Sequence, residues 1–95
     1  MPAYLISTIE ITDPAGYEEY RKLVAPVLQK FGGKFLARGG KIDYLEGHWT
    51  PKRVVVVEFE SPEKARAFSD APEYAKAKAI RQKTSISSVI VVEGV

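Results

Sequence analysis

The sequence predicts an α+β domain, one antiparallel sheet of four strands in βαββαβ order with helices on a single face. Three observations carry that reading. Ala3 to Ile11, Val54 to Phe59 and Ile86 to Glu93 read as strands with almost no polar face, whereas an ordinary half-exposed strand alternates. Thr12-Asp13-Pro14 and Ser61-Pro62-Glu63 each set a capping side chain directly before proline, which marks a helix start. A chain of 95 residues suits one compact domain, residues 1–95, and is too short to cover both faces of such a sheet itself.

The first strand, Ala3 to Ile11, holds Tyr4 and Ile6 on one side and Ile9 and Ile11 on the other. The helix after it carries Tyr17, Tyr20, Val24, Val27, Leu28 and Phe31 at three- and four-residue steps, a stripe that must lie on a sheet. It ends at Gly32-Gly33, where a left-handed cap costs no Cβ strain, and Pro26 inside it predicts a lost backbone bond or bend near Lys22. The second strand spans Lys34 to Arg38. Gly39-Gly40 reads as a bulge or bend beyond which the strand resumes from Ile42 to Leu45. After a loop, Glu46 to Lys52, comes the valine run of strand three. The second helical stretch breaks at Pro72, because Ala71 is pushed out of helical space; Asp70 or Ala71 caps a separate segment. Its inner face is expected to include Ala65, Phe68, Tyr74 and Ile80. Ile86 to Glu93 closes the sheet.

This order is the split-βαβ, ferredoxin-like arrangement, in which strands one and three are central. Both are apolar on both sides, and the helices cover one. The other side would expose several hundred Å² of apolar surface, the range that marks an interface. At ~25 cal/mol per Å², covering ~1,000 Å² is worth on the order of 25 kcal/mol before association entropy. The expected partner is a second copy, a homodimer packed face to face about a two-fold axis.

Composition removes several function classes. Apolar residues at 45% and charged ones at 27% belong to a folded protein, and no apolar run approaches a membrane span of ~20 residues. Met1-Pro2-Ala3-Tyr4 lacks the opening of a signal peptide, so a cytoplasmic location is the expectation. Without cysteine there is no disulfide, thiolate nucleophile or Cys-held metal. The 14 basic and 12 acidic residues are interspersed. RNA-recognition modules of the same topology stack bases on aromatics of the central strands, but Arg53-Val54-Val55-Val56-Val57-Glu58-Phe59 offers aliphatic residues there, so nucleic acid is not an expected partner.

Distinctive side chains concentrate between Arg38 and Arg53. Arg38, ending a strand before a diglycine, presents a planar fork suited to a carboxylate or enolate; the competing reading pairs it with Glu46 or Glu58. Trp49, Tyr44 and Tyr4 would wall such a pocket near the sheet edge, while Trp49 before Pro51 equally suits a lid or a dimer rim. His48, the only imidazole, is the default general base or haem ligand, with Glu46 to orient it or act as an acid; a lone His between Gly47 and Trp49 is otherwise a solvated loop residue. No second His or Cys completes a metal site. Lys76, Lys78, Arg81 and Lys83 form a basic stretch that reads as a solvated helix face or as an attractor of anions.

Met1-Pro2-Ala3-Tyr4, Thr12-Asp13-Pro14, Tyr17, Tyr20, the run Gly33 to Gly40, Leu45-Glu46-Gly47 with Trp49, Pro51 and Arg53, Glu58-Phe59, Pro72-Glu73-Tyr74, Arg81 and Val92-Glu93-Gly94 together resemble the family known as domain of unknown function 1330. The likeness spans essentially the whole chain. It implies a ferredoxin-like dimer of the dimeric α/β barrel type, a superfamily that includes cofactor-independent monooxygenases, lactone isomerases and haem-dependent enzymes. His48 and Ser69 depart from the family pattern, the first at a position usually acidic or small, the second often aromatic. Two functions therefore compete. One is a site for a small hydrophobic or aromatic acid, with Arg38 and Arg53 beside Trp49, Tyr44 and Tyr4, where monooxygenase-like or isomerase-like chemistry would run without a bound cofactor. The other is a non-catalytic dimeric interaction module.

Overall fold

The computed structural model describes residues 1–95 in the order β1 (Ala3–Ile11), α1 (Pro14–Lys30), β2 (Lys34–Arg38), β3 (Arg53–Phe59), α2 (Pro62–Asp70), α3 (Pro72–Thr84) and β4 (Ser85–Glu93). The strands form one sheet, β2-β3-β1-β4, with every neighbouring pair antiparallel. β1 and β3 are central, as the order requires.

Local chemistry sets the helix ends. Asp13 Oδ1 accepts from the Gly16 N–H at 3.2 Å, and Ser61 Oγ accepts from the Lys64 N–H at 3.2 Å, each satisfying a donor of the first turn. Gly32 takes φ +81°, so that the Gly33 N–H reaches back to the Leu28 carbonyl at 2.8 Å and closes α1. α1 runs helical through Pro26, and both Pro26 and Lys22 lie on its exposed side. Ala71, extended at φ −64° and ψ 135°, separates α2 from α3 as a residue before proline must.

Two expectations differ from the structure. Ile42 to Leu45 form no strand; residues 39–52 run as an arm without helix or strand, its two limbs tied where Tyr44 Oη donates to the Pro51 carbonyl at 2.6 Å. The β2–β3 irregularity falls at Leu36 rather than at the diglycine, since Phe35 pairs with Val57 while Ala37 pairs with Val56 and Arg38 with Val55. That single extra residue has a large consequence. Strict alternation would put Phe35 and Arg38 on opposite faces, and the bulge returns both to the face of Val55 and Val57.

All helices lie on that face. Leu5, Val57 and Phe59 pack against Val24, Leu28, Ala65, Phe68, Tyr74 and Ala77. Phe68 is the hinge of an aromatic cluster, 4.3 Å from the Tyr74 ring and 5.7 Å from Phe59. The opposite face carries Tyr4, Ile6, Val54, Val56, Ile90 and Val92, and nothing covers it. Ile86, Ile90 and Val92 are 68%, 58% and 45% exposed, and the molecule is only 16 Å across its thinnest direction, one helical layer on one sheet.

Candidate functional site

Between the helices and the sheet lies a cavity of about 450 Å³, within the usual ligand-pocket range of roughly 300–1,000 Å³. Leu5, Val24, Leu28, Val55, Val89 and Val91 make its walls. Its polar groups are unusual for such surroundings, because five arginines border it, each from a different element: Arg21 on α1, Arg38 on β2, Arg53 on β3, Arg66 on α2 and Arg81 on α3.

Arg81 is the decisive one. It is 7% exposed, its Nε is buried without a hydrogen-bond partner, and no carboxylate pairs with it. Its position follows from α3, where Tyr74, Ala77, Arg81 and Thr84 recur at steps of three and four and are all buried. The last turn is fixed because the Thr84 carbonyl accepts from the N–H groups of Thr12 and Asp13, at 2.9 and 3.1 Å. Arg81 therefore enters the cavity at the end where β1 leaves the sheet.

Arg53 reaches the same end, opposite Ile9 on β1. Its Nε is also buried without a partner, and its guanidinium carbon stands 5.8 Å from the centre of the Tyr17 ring. Gly39, at φ +72°, makes room for it; a Cβ there would collide with the guanidinium. Arg38 sits further out and is exposed, over the Phe35 ring at 4.3 Å, with one Nη 3.5 Å from the Arg21 carbonyl. A donor buried without an acceptor carries a desolvation cost, and both Nε groups carry it unless an anion joins them.

Beside them Tyr20 Oη and Tyr74 Oη are 2.9 Å apart. Burial first, and then the adjoining Tyr74 hydroxyl, push Tyr20 far above the ordinary phenol range, so it stays neutral. Two hydroxyls share one hydrogen bond, which leaves one proton of the pair for another acceptor.

Of the residues singled out from sequence, Arg38 and Arg53 line this cavity together. Tyr4 lies on the uncovered sheet face, with Val92 and Glu58 as its cross-strand neighbours. Tyr44 and Trp49, 53% and 70% exposed, stand on the arm, as do Glu46 and His48, both exposed. Arg38 makes no ion pair with Glu46 or Glu58. The basic stretch divides: Lys76 and Lys83 are solvated, Lys78 borders the cavity, and Arg81 is inside it. Ile80, expected inward, is half-buried while its neighbour Arg81 takes the inner position. The signal for Arg81 was its seven-residue step from Tyr74, which a count of basic residues hides.

A comparison with protein families matches residues 2–95 to the family described as Domain of unknown function (DUF1330). The chain belongs to that family. No curated protein matches it. Among solved structures it is similar to a protein of unknown function from Rhodopseudomonas palustris, with TM-score 0.80, 19% identity, and coverage of 99% of this chain and 82% of that one. A dimeric ferredoxin-like protein of unknown function from Jannaschia sp. CCS1 gives TM-score 0.79 at 12% identity, covering 99% and 100%. SnoaB, a cofactor-independent oxygenase from Streptomyces nogalater, gives 0.70 at 12%, covering 99% and 93%. At such identities the likeness establishes the fold, which is ferredoxin-like. No helix is long and apolar enough to cross a membrane.

Proposed function

We propose that this protein works as a homodimer that binds a small, mainly apolar acid in the helix–sheet cavity, with the anionic group against Arg53 and Arg81 and Arg38 nearer the mouth. The observation that carries this reading is Arg81, a buried arginine at a mostly apolar cavity whose Nε has no acceptor and which forms no ion pair with an acid of the protein. A planar fork of donors is suited to a carboxylate, and a bound carboxylate would supply the missing acceptor. The aromatic cluster of Phe68 and Tyr74 at the wall favours a flat hydrocarbon body on the ligand. The dimer reading is supported by the uncovered apolar face and by similar structures described as dimeric. In such an assembly Tyr44, Leu45 and Trp49 of the arm belong to the rim. Oxygenase-like or isomerase-like turnover without a resident cofactor is the reaction class that the fold shared with SnoaB suggests.

A thermal-shift series tests the binding step. Benzoate and longer aryl carboxylates should raise the melting temperature and their neutral amides should not; at about one hundred times Kd the stabilisation approaches 2.7 kcal/mol. Arg81→Gln and Arg53→Gln should each remove most of that response. Equal stabilisation by acids and amides, or an undiminished response in both variants, would rule the site out.

A further inference from the structure

The cavity is rich in donors and poor in bases. α1 contributes Tyr17, Tyr20 and Arg21; β2 and β3 contribute Arg38 and Arg53. From α3 come Tyr74, Lys78 and Arg81, while α2 gives Arg66 and the only acid, Asp70, which is exposed on the last residue of its helix. β1 and β4 bring no ionisable side chain to it, and His48, the one imidazole of the chain, is away on the arm. Nothing inside is suited to hold a proton taken from a ligand near neutral pH, yet the positive groups at the inner end strongly favour a negative one.

We infer that the cavity selects weak acids of the phenol and enol class and holds them as their conjugate anions, the proton passing to solvent and not to a side chain. This rests on the reading of the cavity as an anion site and specifies which anions it takes. The O–H bond of the ligand breaks, its electron pair stays on oxygen beside the Arg53 and Arg81 guanidinium groups, and the proton leaves to water, so charge and atoms balance without a base. The spare hydroxyl proton of the Tyr20–Tyr74 pair is a further donor for that oxygen. An opposite charge within ~4–6 Å ordinarily moves such an equilibrium by one to three pH units, and two guanidinium groups at a partly enclosed cavity act in the same direction. Carboxylic acids, already ionised, gain nothing from this; phenols and enols change state on entering.

The probe is 4-nitrophenol, whose neutral and ionised forms absorb at different wavelengths. Titrated with saturating protein, its ionisation midpoint should fall by at least about one pH unit, a tenfold preference for the anion. Calorimetry in two buffers of different protonation heat should show proton release on binding below the midpoint of the unbound probe. Arg53→Gln and Arg81→Gln should each return at least half of the shift, and Lys76→Gln, on an exposed residue of the same helix, should return none. If Arg81→Gln fails to fold, as followed by circular dichroism, the wild-type midpoint and Arg53→Gln decide. Bound 4-nitrophenol that keeps its solution midpoint while benzoate still stabilises the protein overturns this inference and leaves the anion site standing. Failure of both probes to bind overturns both.

Discussion

Arg81 has the character of a residue kept for a ligand and not for the fold. A surface arginine loses little by folding, but Arg81 is only 7% exposed and its Nε has surrendered water and received no acceptor in exchange. Replacing such a charge with an apolar side chain of similar length removes the desolvation cost and keeps the packing. Arg81→Met should therefore make the ligand-free protein more stable, by about 1–3 kcal/mol in chemical denaturation, while abolishing stabilisation by aryl acids. A purely structural arginine would give the opposite sign, since its loss would leave a hole or break a bond. The sequence concealed this residue for a physical reason. Lys76, Lys78 and Lys83 surround it in the chain and are partly or wholly solvated, and a run of basic residues on a helix normally faces water. What turns Arg81 inward is the clamp of Thr84 onto Thr12 and Asp13, a contact between segments about seventy residues apart.

Elements governed by short-range chemistry were legible from the chain; those governed by pairing were not. Asp13 and Ser61 before proline, and the glycines after Phe31, act within one helical turn, so the ends of α1 and the start of α2 follow from local sequence. The valine run of β3 and the apolar β1 and β4 likewise declare themselves. The bulge at Leu36 does not, because it exists only relative to β3, and without it Arg38 would face away from the cavity. The junction of β2 with the arm is equally specific. Gly39 combines a positive φ with close approach of the Arg53 guanidinium, whereas a Cβ on Gly40 would meet nothing within 4 Å. Gly39→Ala should lower stability by about 1–2 kcal/mol through left-handed backbone strain, displace Arg53 and weaken aryl-acid binding; Gly40→Ala should leave both unchanged. Paired denaturation curves and ligand titrations of the two variants check this. Equal behaviour of the pair would remove Gly39 from the support of the site.

At the scale of the whole molecule the unsolved problem of this chain is its second sheet face. Helices occupy one side, and the other presents Ile6 on β1 flanked by Val56 on β3 and Ile90 on β4, in a molecule one layer of helix thick. Scattered surface aliphatics are ordinary, but a contiguous set on three neighbouring strands is not. If a second copy covers it, a two-fold axis brings any substitution into the interface twice, and a charge there is stripped of water with no partner. Ile6→Lys should then weaken association at least a hundredfold, roughly 3 kcal/mol, and convert a species of two chains into one at micromolar concentration by light scattering. The wild type should also melt at a temperature that rises with protein concentration, and the variant should lose that dependence. Were the face truly solvated, Ile6→Lys would change stability by only about 0.5 kcal/mol and the mass not at all. A wild type that scatters as a single folded chain would return Ile6, Val56 and Ile90 to the solvent and leave the cavity as the property of one subunit.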